Sequence, residues 1–297
     1  VCGRVSVMNS GSLVHSAPVE ETSPRELIEL MIPAGARSEA RSAIDSFLGT
    51  GSEGEPSLPR GRSVRSPEQP AEPVMSVRRL TVGDPPTVRE ISLDLHPGRV
   101  LGIAGVAGNG QRPLLDALAG LVRPKSGHIQ VARLSLVGRP TSRWLSAGVA
   151  YVAEDRHRDG ILPSKSLVQN YVLGHHRSAP LSLRGCIRWQ RVREATAAAV
   201  ERFAIATPEL STPLADLSGG NIQRLILARA FAHDPAVLLM HNPTRGLDIP
   251  SVVFVYEQVR EAALRGAAVA VASDDLDELL HVADDICVMF SGRIIAR

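Results

Sequence analysis

The tightest constraint on this chain is a glycine-rich run caught between two apolar segments. Val100-Leu-Gly-Ile-Ala104 leads into Gly105-Val-Ala-Gly-Asn-Gly-Gln-Arg112, and Leu114-Leu-Asp-Ala-Leu-Ala119 follows at once. A short apolar run bounded by turn signals reads as a buried strand, and apolar residues in helical spacing read as the inner face of a helix. Glycines at 105, 108 and 110 let the backbone turn sharply between the two. A turn of this kind leaves free N–H groups at a helix N-terminus, where negative charge is favoured.

From Val74 onward, strand-like and helix-like segments alternate: Val100–Ala104, Leu114–Leu121, Val149–Val152, Arg191–Phe203, Ile222–Ala232, Val237–Met240, Val252–Leu264 and Ala268–Ala272. This order predicts an α/β domain with a mainly parallel central sheet. With 44% hydrophobic and 22% charged residues in 297, the chain can bury a sizeable core. The length allows one large domain with a fragment, or two smaller domains. A net charge of +2 with scattered arginines gives no footprint for nucleic acid.

The glycine run has the strand-to-helix context of a P-loop, G-x-x-x-x-G-K-[ST], but Gln111 stands for the lysine and Arg112 for the magnesium-binding Ser or Thr. The loop keeps its shape and lacks its two chemical side chains. Downstream, Leu217-Ser-Gly-Gly-Asn-Ile-Gln-Arg224 places Ser218 as the cap of a helix running from Asn221 to Ala232, with Gly219 and Gly220 leaving its amides open to a phosphate brought from outside. This segment resembles the LSGGQ signature of the ATP-binding cassettes, and with the loop upstream the chain is identified as a member of that family. The resemblance implies a P-loop NTPase fold with a helical subdomain at about 156–220, and ATP with Mg2+ as cofactors of the complete protein.

The family pattern then locates the other functional positions. Ala236-Val-Leu-Leu-Met-His241-Asn242-Pro243-Thr-Arg-Gly-Leu-Asp248 resembles the Walker B strand and D-loop, with His241 and Asn242 where an active cassette has Asp and Glu, and Asp248 kept. Asp274 stands at the switch histidine and Glu154 at the Q-loop glutamine. The nucleotide-binding positions implied are Gly105, Gly108, Asn109, Gly110, Gln111, Arg112, Glu154, Ser218, Gly219, Gly220 and Asp248, with no catalytic residue of its own and no metal ligand. His241 reads as a hydrogen-bonded structural residue ahead of a metal ligand. Between Phe47 and Trp144 there is no Phe, Tyr or Trp, so an adenine would rest on aliphatic groups such as Val82 or Val88, and nucleotide binding at this site is expected to be weak or absent.

Val152-Ala-Glu-Asp-Arg-His-Arg-Asp-Gly-Ile161 and Leu162-Pro-Ser-Lys-Ser-Leu-Val-Gln-Asn170 are similar to the box after the Q-loop in the second cassette of bacterial simple-sugar and nucleoside importers. The resemblance covers about residues 75–297. It implies a first cassette in the same subunit, two transmembrane permease subunits, indirectly a periplasmic or lipid-anchored solute-binding protein, and a peripheral place on the cytoplasmic face of the membrane. No apolar run reaches the roughly 18 residues of a bilayer span. The competing class is a soluble tandem cassette protein acting on ribosomes or nucleic acid, for which a basic linker helix is expected. A purely structural pseudo-cassette is a third reading.

Val5-Ser-Val-Met-Asn-Ser-Gly-Ser-Leu-Val14 also repeats as Ile286-Cys-Val-Met-Phe-Ser-Gly-Arg-Ile-Ile295, an offset of 281 (292 − 11). Both copies fit two strands about a Ser-Gly turn. Residues 1–32 are therefore expected to be the end of a first cassette, with a helix capped by Ser23 and opened by Pro24. Residues 33–74, rich in Pro, Gly, Ser, Arg and Glu apart from a weak helical stretch near Ala36–Leu48, read as a linker. Cys2, Cys186 and Cys287 lie far apart and read as reduced packing residues.

Overall fold

A computed structural model describes residues 4–9, 12–18, 72–85, 87–178 and 180–297. The expected helix after Ser23, nearly all of the expected linker, and Cys2 lie outside them. The chain divides into two units after Ser66. In the first, β1 (Arg4–Asn9) pairs antiparallel with β2 (Ser12–Pro18), the hairpin expected from the repeat.

The second unit is built on a six-stranded sheet. Its strands are β5 (Val100–Ala104), β8 (Val149–Val152), β11 (Val237–His241), β12 (Ala268–Ser273), β13 (Asp285–Phe290) and β14 (Arg293–Ala296), in the order β14-β13-β5-β12-β11-β8. All neighbours are parallel except β13 and β14. Every residue of β5, β11 and β12 is buried. Strands covered on both faces have no polar side, which is why these segments read as unbroken apolar runs.

The segment order alone did not reveal a second sheet. β3 (Met75–Val82), β4 (Val88–Leu95), β6 (Ser126–Val131) and the short β7 (Leu134–Ser135) form an antiparallel layer in the order β4-β3-β6-β7. Between the layers runs α1 (Gln111–Leu118), whose Leu114, Leu115, Ala117 and Leu118 are fully buried among residues of both sheets. Covering Leu114, Leu115 and Leu118 stabilises the layers by about 2 kcal/mol per side chain.

Around the sheet lie α2 (Thr141–Ser146), α3 (Leu167–Tyr171), α4 (Trp189–Arg202), α5 (Gly219–Ala230), α6 (Ile249–Leu264) and α7 (Leu276–Val282). A π-helical turn at Arg156–Gly160 leads into the part containing α3 and α4 and a hairpin of β9 (Ser182–Leu183) and β10 (Cys186–Ile187). There, Ser166 and Gln169 form a reciprocal capping box that fixes the start of α3. Buried Asn170 holds the turn before it, donating to the carbonyls of Leu162 and Lys165 at 2.9 and 3.0 Å. Cys287 is buried as expected, whereas Cys186 is exposed on a two-residue strand.

Candidate functional site

The carboxyl ends of β5, β8, β11 and β12 meet on one side of the sheet, where open α/β folds bind ligands. Residues following these ends, with Thr87, line a cavity of about 180 Å³: Gly108, Gly110, Gln111 and Arg112 after β5, Glu154 after β8, His241 and Asn242 at the end of β11, and Asp274 after β12. Positions spread over 187 residues of sequence (274 − 87) are thus gathered in one pocket.

The loop is held in shape by its own chain. Gly110 has φ +106° and a side chain there would meet the Thr87 carbonyl oxygen at 2.7 Å, so only glycine fits. Asn109 donates to the Val106 carbonyl at 2.9 Å and accepts from the Ser291 N–H at 2.9 Å, tying the loop to the β13–β14 turn. Gln111, only 4% exposed, donates back to the carbonyls of Gly105 and Val106 at 2.6 and 3.2 Å. A neutral amide in the lysine's place satisfies the loop from within and offers no charge to a phosphate.

Arg112 is equally committed. Its guanidinium pairs with Asp159 at 2.7 Å and lies 3.7 Å from Asp116. Across the pocket, the Asn242 amide donates to Asp274 at 2.7 Å and to Glu154 at 2.9 Å, and Glu154 also accepts from Arg245. Burial raises the Glu154 carboxyl, but Asn242, His241 and Arg245 outweigh it and leave the pKa below the ordinary glutamate value. Burial lowers His241 against the pull of Glu154 and Asp274, so the imidazole is neutral near pH 7. Asn242 and Arg245 are then the standing partners of Glu154.

His241 departs from expectation. Its Nδ1 is buried and has no hydrogen-bond partner, with the nearest Glu154 oxygen at 3.7 Å. Nor do Val82 and Val88 serve as a platform for a base, because both are buried in the antiparallel layer, at 1% and 0% exposure. These donors do not fit a magnesium ion: Arg112 fills the hydroxyl position, His241 the carboxylate position, and the Asn242 amide occupies both Glu154 and Asp274. Among the described residues, no group of three or more His, Cys, Asp or Glu could hold a metal.

The signature forms a second cluster. Ser218 caps α5, with its hydroxyl oxygen accepting from the Asn221 backbone at 3.4 Å and side-chain amide at 2.9 Å. Ser218 is exposed, Gly219 and Gly220 half-buried, and exposed Asp248 at the start of α6 lies on the Gly220 side. Gly105 and Asn109 support the loop rather than line the pocket. Sequence reasoning missed Thr87, Asp159 and Arg245. Only Asp159 and Arg245 left a signal, standing inside motifs already singled out.

Fold and site together define a cassette of the P-loop NTPase class whose glycine loop keeps its shape without the lysine. The sequence model describing the ABC transporter matches residues 88–245, more than half of the chain, which therefore belongs to the ABC transporter ATP-binding family. Similar proteins include the guanosine import ATP-binding protein NupO of Bacillus subtilis (strain 168), 30% identical over 100% of this chain and 54% of its own length. The ribose import ATP-binding protein RbsA of Rhodopirellula baltica is 33% identical over 97% of this chain and 53% of its own length. The chain thus spans about half the length of the curated relatives it matches. Among solved structures, a nucleotide-free ATP-binding cassette from an ABC transporter superposes with a TM-score of 0.65 at 19% identity, covering 76% of this chain and 90% of that one. A cassette dimer bound to ADP and Pi gives 0.64 at 18%, covering 74% and 96%.

Proposed function

We propose that this chain is the second half of a tandem ATP-binding subunit of an importer for simple sugars or nucleosides. Its own pocket is non-hydrolytic, and its Ser218-Gly219-Gly220 signature completes the hydrolytic site of a first cassette whose end is residues 1–32. Cassettes of this kind close head to tail, each nucleotide lying between the loop of one and the signature of the other. The observation that carries this reading is the asymmetry between the two clusters. In the pocket, Gln111, Arg112, Glu154, Asn242 and Asp274 are tied to one another or to neighbours, while Ser218 remains exposed beside the half-buried Gly219 and Gly220.

Two further facts support it. The relatives, about twice as long as this chain, are named as import ATP-binding proteins for guanosine, nucleosides and ribose. The 281-residue repeat recurs as a backbone hairpin at both places. No helix among the described residues is long and apolar enough to cross a membrane. Two permease subunits would supply the pathway, with a periplasmic or lipid-anchored solute-binding protein delivering the solute and this subunit docked on the cytoplasmic face. The test is ATP turnover of the full-length subunit assembled with its membrane partners. Gly220→Asp abolishing turnover while Gln111→Ala spares it supports the assignment, and the reverse pattern overturns it.

A further inference from the structure

Three of the arginines in the site region, Arg112, Arg245 and Arg156, have different fates. Arg112 is paired with Asp159, and Arg245 with Glu154. Arg156 forms no ion pair with any described residue. Its guanidinium donates to the backbone carbonyls of Arg245 at 2.8 Å and Gly246 at 3.3 Å, and its buried Nε has no partner among the described residues. Carbonyls satisfy N–H groups but leave the positive charge uncompensated.

That charge sits against the signature. A Cβ built on Gly219 would come within 2.9 Å of Arg156 Nη2, so the guanidinium lies directly beside the signature backbone. Gly219 opens α5, whose N-terminal end carries the positive pole of the helix dipole, and a cation there is unfavourable. Two positive elements have been brought together, with the arginine gripped by the backbone between β11 and α6. Such an arrangement becomes favourable when an anion joins it.

We propose that Arg156 is a catalytic residue acting in trans: it offsets the charge of the γ-phosphate that the opposing cassette presents to Ser218-Gly219-Gly220. This rests on the tandem reading above. Arg156 makes and breaks no bond. Water adds to the γ-phosphorus, the bond to the β-phosphate oxygen breaks, and ADP leaves; one proton of the water stays on the phosphate and the other goes to solvent. The guanidinium balances charge on the equatorial oxygens, as an arginine supplied from a neighbouring subunit does in other phosphoryl transfers. The carbonyls of Arg245 and Gly246 hold it in place beforehand, so little ordering is needed at the moment of reaction.

The experiment uses the full-length subunit with its membrane partners and compares Arg156→Met, Arg156→Lys and Gly220→Asp. Arg156→Met removes the charge at similar length; turnover should fall by about tenfold or more, about 1.4 kcal/mol of barrier, with a parallel loss of orthovanadate inhibition and an unchanged melting temperature. Arg156→Lys keeps a point charge and should stay within about threefold of the parent. Arg156→Met within about twofold of the parent overturns the proposal. So does Arg156→Lys falling as far as Arg156→Met, since then the fork's grip on the Arg245 and Gly246 carbonyls matters and not its charge. If Arg156→Met fails to fold, a folded Arg156→Lys decides by the same limits. Gly220→Asp separates the two levels of inference: if it leaves turnover intact, the tandem reading itself fails, and if it abolishes turnover while Arg156→Met does not, only the role of Arg156 fails.

Discussion

Asn242 and Asp274 grip each other twice: the Asn242 amide donates to the Asp274 carboxylate at 2.7 Å, and its side-chain oxygen accepts from the Asp274 backbone N–H at 3.1 Å. The ring closes the ends of β11 and β12 and, through Glu154, the end of β8. Asn242→Asp would turn the donor into a third carboxylate between two others. Removing one partner of a buried network leaves unsatisfied groups and adds repulsion. We expect a loss of about 2 kcal/mol or more in urea unfolding at pH 7, shrinking toward pH 4 as the carboxyls take up protons. A variant as stable as the parent at pH 7 contradicts the role given to this ring.

The isolated chain should show no magnesium-dependent ATP hydrolysis above a buffer control. Gln111 serves the loop carbonyls and Arg112 is paired, so restoring one position cannot rebuild the site. Gln111→Lys alone should therefore also be inactive. Turnover that survives further purification of the parent chain and disappears on changing Gln111 would refute this.

Gly220→Asp should lower turnover of the full-length subunit at least about tenfold, by placing bulk and negative charge where a phosphate approaches. A Cβ at Gly220 also comes within 2.9 Å of the Ser251 hydroxyl oxygen. Ser251→Ala removes that clash, so the double variant should fold normally and remain inactive. Recovery of turnover in the double variant would assign the defect to packing alone.

His175 gives a pH dependence that belongs to folding. Burial, and then His233, push its pKa down to about 4 from an ordinary 6.5, with Nε2 3.0 Å from the Arg229 carbonyl. The folded state thus binds fewer protons than the unfolded one between those values. Stability from this group is complete above pH 6.5 and falls as pH drops toward about 4, by at most about 1.4 kcal/mol per pH unit. His175→Gln should flatten this part of the stability curve in urea unfolding between pH 7 and 5. Identical slopes for the variant and the parent would rule the group out.

What the sequence revealed depended on how local the signal was. β5, β11 and β12 are legible because strands buried on both faces must be apolar throughout, and the glycine loop because its backbone permits little else. The antiparallel layer was hidden: β3 and β4 alternate buried and exposed residues only irregularly, their pairing broken by register shifts at Val77/Leu80 and Leu80/Val82. The lack of a partner for His241 Nδ1 is decided by what the neighbouring strand ends present, which cannot be read from one strand's end. Val82 and Val88 were offered to a base because nothing local says which face of an irregular strand is covered.

The two short hairpins carry a further implication. In the first, Val7 faces His15, Met8 faces Leu13 and Asn9 faces Ser12; in the second, Val288 faces Ala296, Met289 faces Ile294 and Phe290 faces Arg293. Each pairing differs by 281, and in both the ladder steps over one residue, Val14 or Ile295, exposed at 46% and 61%. A skipped residue reverses which side chains face inward along the rest of a strand. Losing it in either hairpin would turn that strand inside out, so the skip is more tightly constrained than the letters around it. On the tandem reading proposed above, this shared skip is the part of the first cassette that the backbone of residues 4–9 and 12–18 still displays.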